Sequence, residues 1–160
     1  MRSRTANWYE VVIRYDKTQE DGMTKKVNEY YVVDALTFGE AEETITKEMS
    51  MYISGEFEVK NITPASYHEI FFSDNDNDDR WFKTKLSFIT IDEKTEKEKR
   101  TAVTYLVQAS TLNTAMKNIE ETMKGSMIDY VISNISETKF MDVFEHNGKT
   151  TKNDEPEFKE

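Results

Sequence analysis

Apolar and polar residues alternate through residues 8–15, where every odd-numbered position is apolar. This period of two is typical of a β-strand with one buried face. Asp21-Gly22 marks a turn, and residues 28–34 supply a returning strand. The segment is therefore expected to form a β-hairpin.

A helix is predicted directly after this hairpin. Thr37 stands where an N-cap is expected, and Glu40 follows three residues later, as in a capping box. Apolar residues then recur at spacings of three and four, which predicts one buried stripe opposite a charged face. The stripe consists of Phe38, Ala41, Ile45, Met49 and Tyr52.

Two more strands are expected after the helix. Ser54-Gly55 should end the helix, because glycine favours the backbone conformation found there. Residues 56–62 and 67–72 read as strands, with Thr63-Pro64 as the break between them. The order of elements is thus β-β-α-β-β.

The same pattern occurs a second time, at an offset of 73 to 74 residues. Residues 8–15 align with 81–88, residues 31–38 align with 105–112, and gaps fall only at turns. Such agreement over a whole unit indicates a tandem duplication. The second copy predicts strands near 81–91, 101–108, 129–135 and 138–144, a solvated charged loop at 92–100, and a helix at 112–125 capped by Thr111.

The expected fold class is therefore α+β, with two tandem β-β-α-β-β repeats related by pseudo-two-fold symmetry. The sheet should be mainly antiparallel, with one helix in each repeat. We expect one compact domain overall. Its parts are a first repeat at 7–72, an acidic linker at 73–80, a second repeat at 81–144 and a disordered tail at 145–160.

Charge and composition narrow the classes of function. The chain has 160 residues and a formal net charge of −10, which disfavours non-specific binding to nucleic acid or to an anionic membrane. There is no cysteine, so disulfides and thiolate sites are excluded. No apolar run has the length of a membrane span, and the N-terminus has no apolar signal segment, so we expect a cytoplasmic protein.

No catalytic residue, metal site or cofactor is predicted. Residues 73–79 resemble the start of an EF-hand loop, but Asp79 stands where glycine is required and Lys85 where a bidentate glutamate is required. Local Asx turns in a solvated linker explain the segment better. His68 and His146, the two histidines, suggest neither a metal site nor a catalytic triad.

An aromatic and basic group is the candidate binding site. Two tryptophans occupy equivalent positions in the repeats, with cationic side chains nearby, an arrangement that can stack a base and hold a phosphate. The alternative is that both tryptophans are structural anchors, which the burial preferences of large aromatic residues favour. The candidate residues are Trp8, Arg14, Arg80, Trp81, Lys83 and Lys85.

Several stretches resemble one uncharacterised domain-of-unknown-function family. They are 7–11, 52–57, 69–72, 79–83 and 137–143, which together extend the resemblance over about residues 7–144. The family comprises proteins of about this length from gut bacteria and their tailed phages or prophages. The resemblance implies no catalytic residues, and it implies a small protein of a mobile element or its host.

These observations lead to the hypothesis of a non-catalytic binding protein. It would bind a basic host or phage protein through its acidic first repeat, or sequester a small nucleotide signalling ligand. One alternative is a single-stranded nucleic-acid-binding accessory of replication or recombination, and a second is a small metal-dependent hydrolase. A homodimer is expected, since pairing between chains would cover the exposed edge strands of such a fold.

Overall fold

The computed structural model describes residues 1–145, which form nine strands and two helices. In chain order these are β1 (Arg2–Arg4), β2 (Trp8–Thr18), β3 (Thr24–Asp34), α1 (Phe38–Ser50), β4 (Phe57–Ala65), β5 (Glu69–Phe72), β6 (Arg80–Ile91), β7 (Glu98–Ala109), α2 (Leu112–Met123), β8 (Asp129–Glu137) and β9 (Phe140–Phe144). Within this range no helix is both long and apolar enough to cross a membrane. The predicted α+β class, with one helix in each half, is confirmed.

The described chain divides into two compact units. The first unit contains residues 6–65 and 140–145, and the second contains residues 1–5 and 66–139. The units differ from the two sequence repeats, because the last strand of each repeat lies in the sheet of the other unit. The pseudo-symmetry of the repeats stays a prediction.

The first unit is a four-stranded sheet in the order β4-β2-β3-β9, and α1 packs on one face. Ala41, Ile45 and Met49 of α1 are buried against the sheet, as the helical stripe predicted. Full burial of a side chain such as Ile45 or Met49 contributes about 1.5–3 kcal/mol. The hydroxyl of Thr37 accepts a hydrogen bond from the Glu40 N–H at 3.1 Å, which confirms the predicted N-cap.

The second unit is a five-stranded sheet in the order β1-β5-β7-β6-β8, with α2 on one face. The buried residues of α2 are Ala115, Ile119 and Met123, the counterparts of the three in α1. Thr111 caps the helix by accepting from the Thr114 N–H at 3.1 Å, again as predicted. The three-residue strand β1 was not predicted, since its sequence is polar and too short to show a period.

Two parallel pairings distinguish the sheets from simple meanders. β5 pairs in parallel with β7, and β9 pairs in parallel with β3, whereas the other pairings are antiparallel. Parallel neighbours require a long crossover connection, which each strand obtains here because it comes from the other half of the chain.

Three local predictions were wrong. β4 runs through Pro64 without the predicted break, which is possible because β4 is an edge strand and needs no outward N–H. Both ends of the predicted buried stripe are exposed, since Phe38 at the start of α1 is 52% exposed and Tyr52, beyond the end of α1, is 70% exposed. The charged loop at 92–100 is shorter than predicted, because β7 begins at Glu98. The predicted tail lies outside the described residues, apart from residue 145.

Candidate functional site

Both tryptophans of the candidate site are buried. Trp8 and Trp81 are each 2% exposed. The Trp81 ring meets the Phe72 ring edge to face, with centroids 5.6 Å apart. Rings covered to this extent offer no open face to a ligand, so stacking on them would require local opening. The burial is what the structural alternative for these residues requires.

The basic residues of the candidate site are divided between the two units. Arg14 lies in the first unit, on a mixed-charge surface that also includes Asp16 and Glu58. Arg80 lies in the second unit and forms an exposed ion pair with Glu137, with 3.6 Å between nitrogen and oxygen. An exposed pair of this kind adds at most about 1 kcal/mol to stability. The two remaining lysines, Lys83 and Lys85, lie together.

Strand geometry places these lysines on the face of the second sheet that α2 leaves uncovered. Phe82 and Leu86 belong to the cores beneath α2. Because successive side chains of a strand point to opposite faces, Trp81, Lys83 and Lys85 point away from the helix. Trp81 is buried at one end of this row, whereas both lysines are exposed.

The lysines line an open depression of about 380 Å³ in the second unit, which we call the basic depression. Its side chains come from β6, β7 and β8, whose register sets Lys85 opposite both Thr104 and Asn134. The lining residues are Lys83, Lys85, Thr104, Ser133, Asn134 and Ser136. None of these six is acidic, although the chain has a net charge of −10.

A β-bulge shapes the edge of the basic depression. The register between β6 and β8 shifts between Lys85 and Leu86, so that Ser133 has no direct partner on β6. The Ser133 hydroxyl donates a hydrogen bond to the Lys85 carbonyl at 3.0 Å. Bulges redirect side chains at the edge of a sheet, and this one brings Ser133 beside the lysines together with Asn134 and Ser136.

The Lys83 ammonium is positioned by a neighbouring aromatic ring. Its nitrogen lies 5.7 Å from the centroid of the Tyr67 ring, within the range of a cation–π contact. Such a contact limits the conformations of a long side chain while the ammonium stays charged. Lys83 is therefore partly oriented before any ligand binds.

Sequence reasoning found the two lysines but missed the four neutral residues of the basic depression. Thr104 and Ser136 are ordinary polar residues in strands, and nothing in their local sequence distinguishes them. The only available signal was the alignment of the two repeats, in which the sequence of β8 corresponds to that of β4 and the sequence of β6 to that of β2. That alignment gives no register across the sheet, and register decides which side chains meet.

The described residues contain no group of three or more His, Cys, Asp or Glu side chains that could hold a metal ion. The segment 73–79 forms local turns, in which the Asn77 N–H donates to Asn75 Oδ1 at 3.0 Å. The Ser73 hydroxyl donates to the buried carboxylate of Asp78 in a short hydrogen bond. The His68 and Tyr105 rings meet in a T-shaped contact, with centroids 5.4 Å apart. His146 lies outside the described residues.

A carboxylate flanked by two phenols is the other polar cluster that sequence reasoning missed. Glu29 accepts hydrogen bonds from the Tyr15 hydroxyl at 3.0 Å and the Tyr31 hydroxyl at 2.9 Å. Burial raises the pKa of both tyrosines, and the hydrogen bonds to Glu29 raise it further. In the second unit, burial and then the charge of Glu69 raise the pKa of Tyr105 to about 12. All three phenols stay protonated at neutral pH, and those of Tyr15 and Tyr31 donate to Glu29, which is a structural role.

Residues 7–146 match a family described as a domain of unknown function, DUF4494. The chain belongs to the DUF4494 family. The match confirms the expected membership of an uncharacterised domain family, whereas the expected origin in gut bacteria and phages stays a prediction. No curated protein and no solved structure matches the chain.

Proposed function

We propose that this DUF4494 protein is a non-catalytic binding protein whose basic depression recognises the anionic groups of its ligand. One observation carries the proposal. Lys83 and Lys85 share an open depression with neutral hydrogen-bonding side chains and no lining carboxylate, in a strongly acidic chain. A local positive site on a negative molecule favours a ligand that places its own negative charge there.

The lining chemistry suits a phosphate or a carboxylate. Lysine acts as a point charge toward such groups, while hydroxyl and amide side chains supply directed hydrogen bonds. Thr104, Ser136 and Asn134 provide those hydrogen-bonding groups around the two ammonium groups. Charge then supplies affinity, and the neutral side chains supply orientation.

Two sources of the anionic group are considered, and the second differs from the basic partner that the acidic first repeat suggested, because the basic depression lies in the second unit. One is the phosphate of a small nucleotide signalling ligand, and the other is a carboxylate on a host or phage protein. Single-stranded nucleic acid is the weaker candidate, because Trp8 and Trp81 are buried and the net charge repels a polyanion. We keep phage or prophage origin and cytoplasmic location as parts of the proposal, supported by the resemblance. A homodimer also stays part of the proposal, paired through a sheet edge other than that of β8.

The test is a calorimetric titration of the full chain with inorganic tripolyphosphate at low salt. We expect saturable binding that weakens as salt is added, because exposed charges are screened. The double variant Lys83→Gln/Lys85→Gln should lower affinity at least tenfold, or about 1.4 kcal/mol.

The matched control is Lys94→Gln/Lys97→Gln, which removes the same charge from the exposed turn between β6 and β7. Compared with the parent chain at about 0.15 M salt, where the screening length is about 8 Å, its affinity should stay within about twofold, since a distant exposed charge is then screened. Equal losses of affinity in both double variants would mean that binding depends only on the net charge of the protein. That result would contradict a site at the basic depression.

A further inference from the structure

The outer edge of β8 is an open strand edge in the second unit. β8 is the last strand of its sheet, and within the described residues of this unit only β6 pairs with it. An edge of nine residues presents a row of backbone N–H and C=O groups that another strand can pair with.

The equivalent edge of the first unit is protected, whereas β8 is not. β4 contains Lys60 and Pro64, two residue types that discourage pairing at an edge. β8 contains no lysine, arginine or proline, and its charged residues are confined to its ends, Asp129 and Glu137. The equivalent edge strands of the two repeats therefore differ: β4 discourages pairing with a further strand, whereas β8 does not.

The two faces beside this edge differ in chemistry. On the α2 side, Tyr130, Ile132 and Ile135 are half-buried and pack against the core clusters. On the opposite side, Lys83 and Lys85 lie one strand inward in the basic depression. A strand added at β8 would therefore have an apolar neighbour on one face and a positive neighbour on the other.

We propose that an extended peptide segment of alternating apolar and acidic residues adds to β8 as a sixth strand. This inference rests on the proposed function, because the acidic residues would occupy the basic depression. Neighbouring strands lie about 4.8 Å apart, so the added strand would be about 10 Å from β6. A glutamate on that strand and an extended lysine on β6 together cover this distance.

A second copy of the chain is a poorer occupant of the same edge. Antiparallel pairing of two β8 strands about Ser133 would set Asp129 opposite Glu137 at both ends. Like charges directly opposite each other in a sheet are destabilising. A foreign acidic segment places its charges toward the lysines instead, so charge complementarity favours a different protein as the source of the strand.

The experiment compares three probes on the isotope-labelled full chain by NMR titration. The first is a synthetic peptide of alternating valine and glutamate, the second is the same peptide methylated on alternate backbone nitrogens, and the third is inorganic tripolyphosphate. Strand addition requires the peptide's N–H groups, so methylation should weaken binding at least tenfold. Amide signals of β8 should shift with the first peptide, and Lys83→Gln/Lys85→Gln should weaken its binding at least tenfold.

The outcomes separate this inference from the proposed function. If tripolyphosphate binds through the lysines but the peptide does not, or if methylation changes nothing, strand addition is overturned and the anion site stands. If neither probe binds, both proposals fail. Concentration-dependent broadening of β8 signals without any probe would assign the edge to a second copy and overturn the foreign segment.

Discussion

Thr84 places a hydroxyl in the apolar interior beneath α2, at the position where the first repeat has Val11. Its side chain is fully buried, and its hydroxyl has no hydrogen-bond partner among the described residues. A buried hydroxyl without a partner costs about 1–3 kcal/mol in proteins. Val11 shows that the same strand position accepts a side chain of this shape without the polar atom.

We predict that Thr84→Val raises the free energy of unfolding by about 1 kcal/mol, because it removes that desolvated hydroxyl and keeps the shape. Chemical denaturation of the two proteins would measure the difference. Thr101→Val is the matched control, since Thr101 lies exposed on the neighbouring strand β7. Its effect should stay within about 0.5 kcal/mol. A destabilised Thr84→Val variant would mean that the hydroxyl has a partner after all.

At this scale the sequence predicted residue types better than it predicted residue neighbours. The aromatic and basic character of Trp81, Lys83 and Lys85 was visible, and burial preferences favoured a covered tryptophan. The sequence did not show that the two lysines on the same face would stay exposed. Burial depends on what covers each face of a sheet. The alternation within one strand identifies two faces and does not show which one is covered, or how far along the strand the cover extends.

The helices were predicted more accurately than the strands, because the sequence marks where each helix begins. Thr37 and Thr111 are N-caps, and three apolar residues at spacings of four follow each of them. Hairpin strands have no such end signal. β7 begins at Glu98, three residues before the predicted start at 101, because backbone pairing with β6 continues where the side chains are charged and solvated.

The turn between β6 and β7 contains one residue in the left-handed region. Glu96 has a φ of 58°, and it is the only non-glycine residue with positive φ among residues 1–145. A residue with a Cβ atom is disfavoured there by about 1–2 kcal/mol. We predict that Glu96→Gly raises the free energy of unfolding by about 0.5–1 kcal/mol, after the greater chain entropy of glycine in the unfolded state is included.

Lys94→Gly, in the same turn, is the control for this prediction. Lys94 does not have positive φ, so glycine brings only its entropic cost and should lower the free energy of unfolding slightly. Thermal unfolding of both variants would measure the contrast. A loss of stability in Glu96→Gly equal to that in Lys94→Gly would show that the backbone at residue 96 is unstrained in solution.

The chain crosses from one unit to the other at residues 5/6, 65/66 and 139/140. The sequence did not predict these crossings. Residues 69–72 and 140–144 are both apolar enough to predict strands. Their pattern does not show which sheet each strand joins, and a partner from the adjacent hairpin is the simpler expectation. The structure instead pairs β5 with β7 and β9 with β3. The edge position of β9 and its five-residue length leave little sequence signal for this choice.

This connectivity predicts how fragments of the chain behave. A fragment of residues 1–79 lacks β9, and a fragment of residues 80–160 lacks β1 and β5, so each has an incomplete sheet. In the first fragment the ring of Tyr31 also loses its stacking partner Phe144, whose centroid lies 5.5 Å away. We predict that neither fragment alone gives the dispersed NMR spectrum of a folded protein. Mixing the fragments should restore the spectrum, because together they contain every strand of both sheets.

A chimera tests whether the missing strand is the cause. Residues 6–65 joined through a flexible glycine-serine linker to residues 140–145 contain all four strands of the first sheet and α1. The linked protein should be more ordered than residues 6–65 alone, since β9 pairs with β3 and covers Tyr31. The same linked protein with Phe144→Ala should lose about 3 kcal/mol or more of that stability. A fully folded fragment 1–79 would show that β9 is dispensable. The exchange of strands between the units would then contribute nothing measurable to the stability of the first unit.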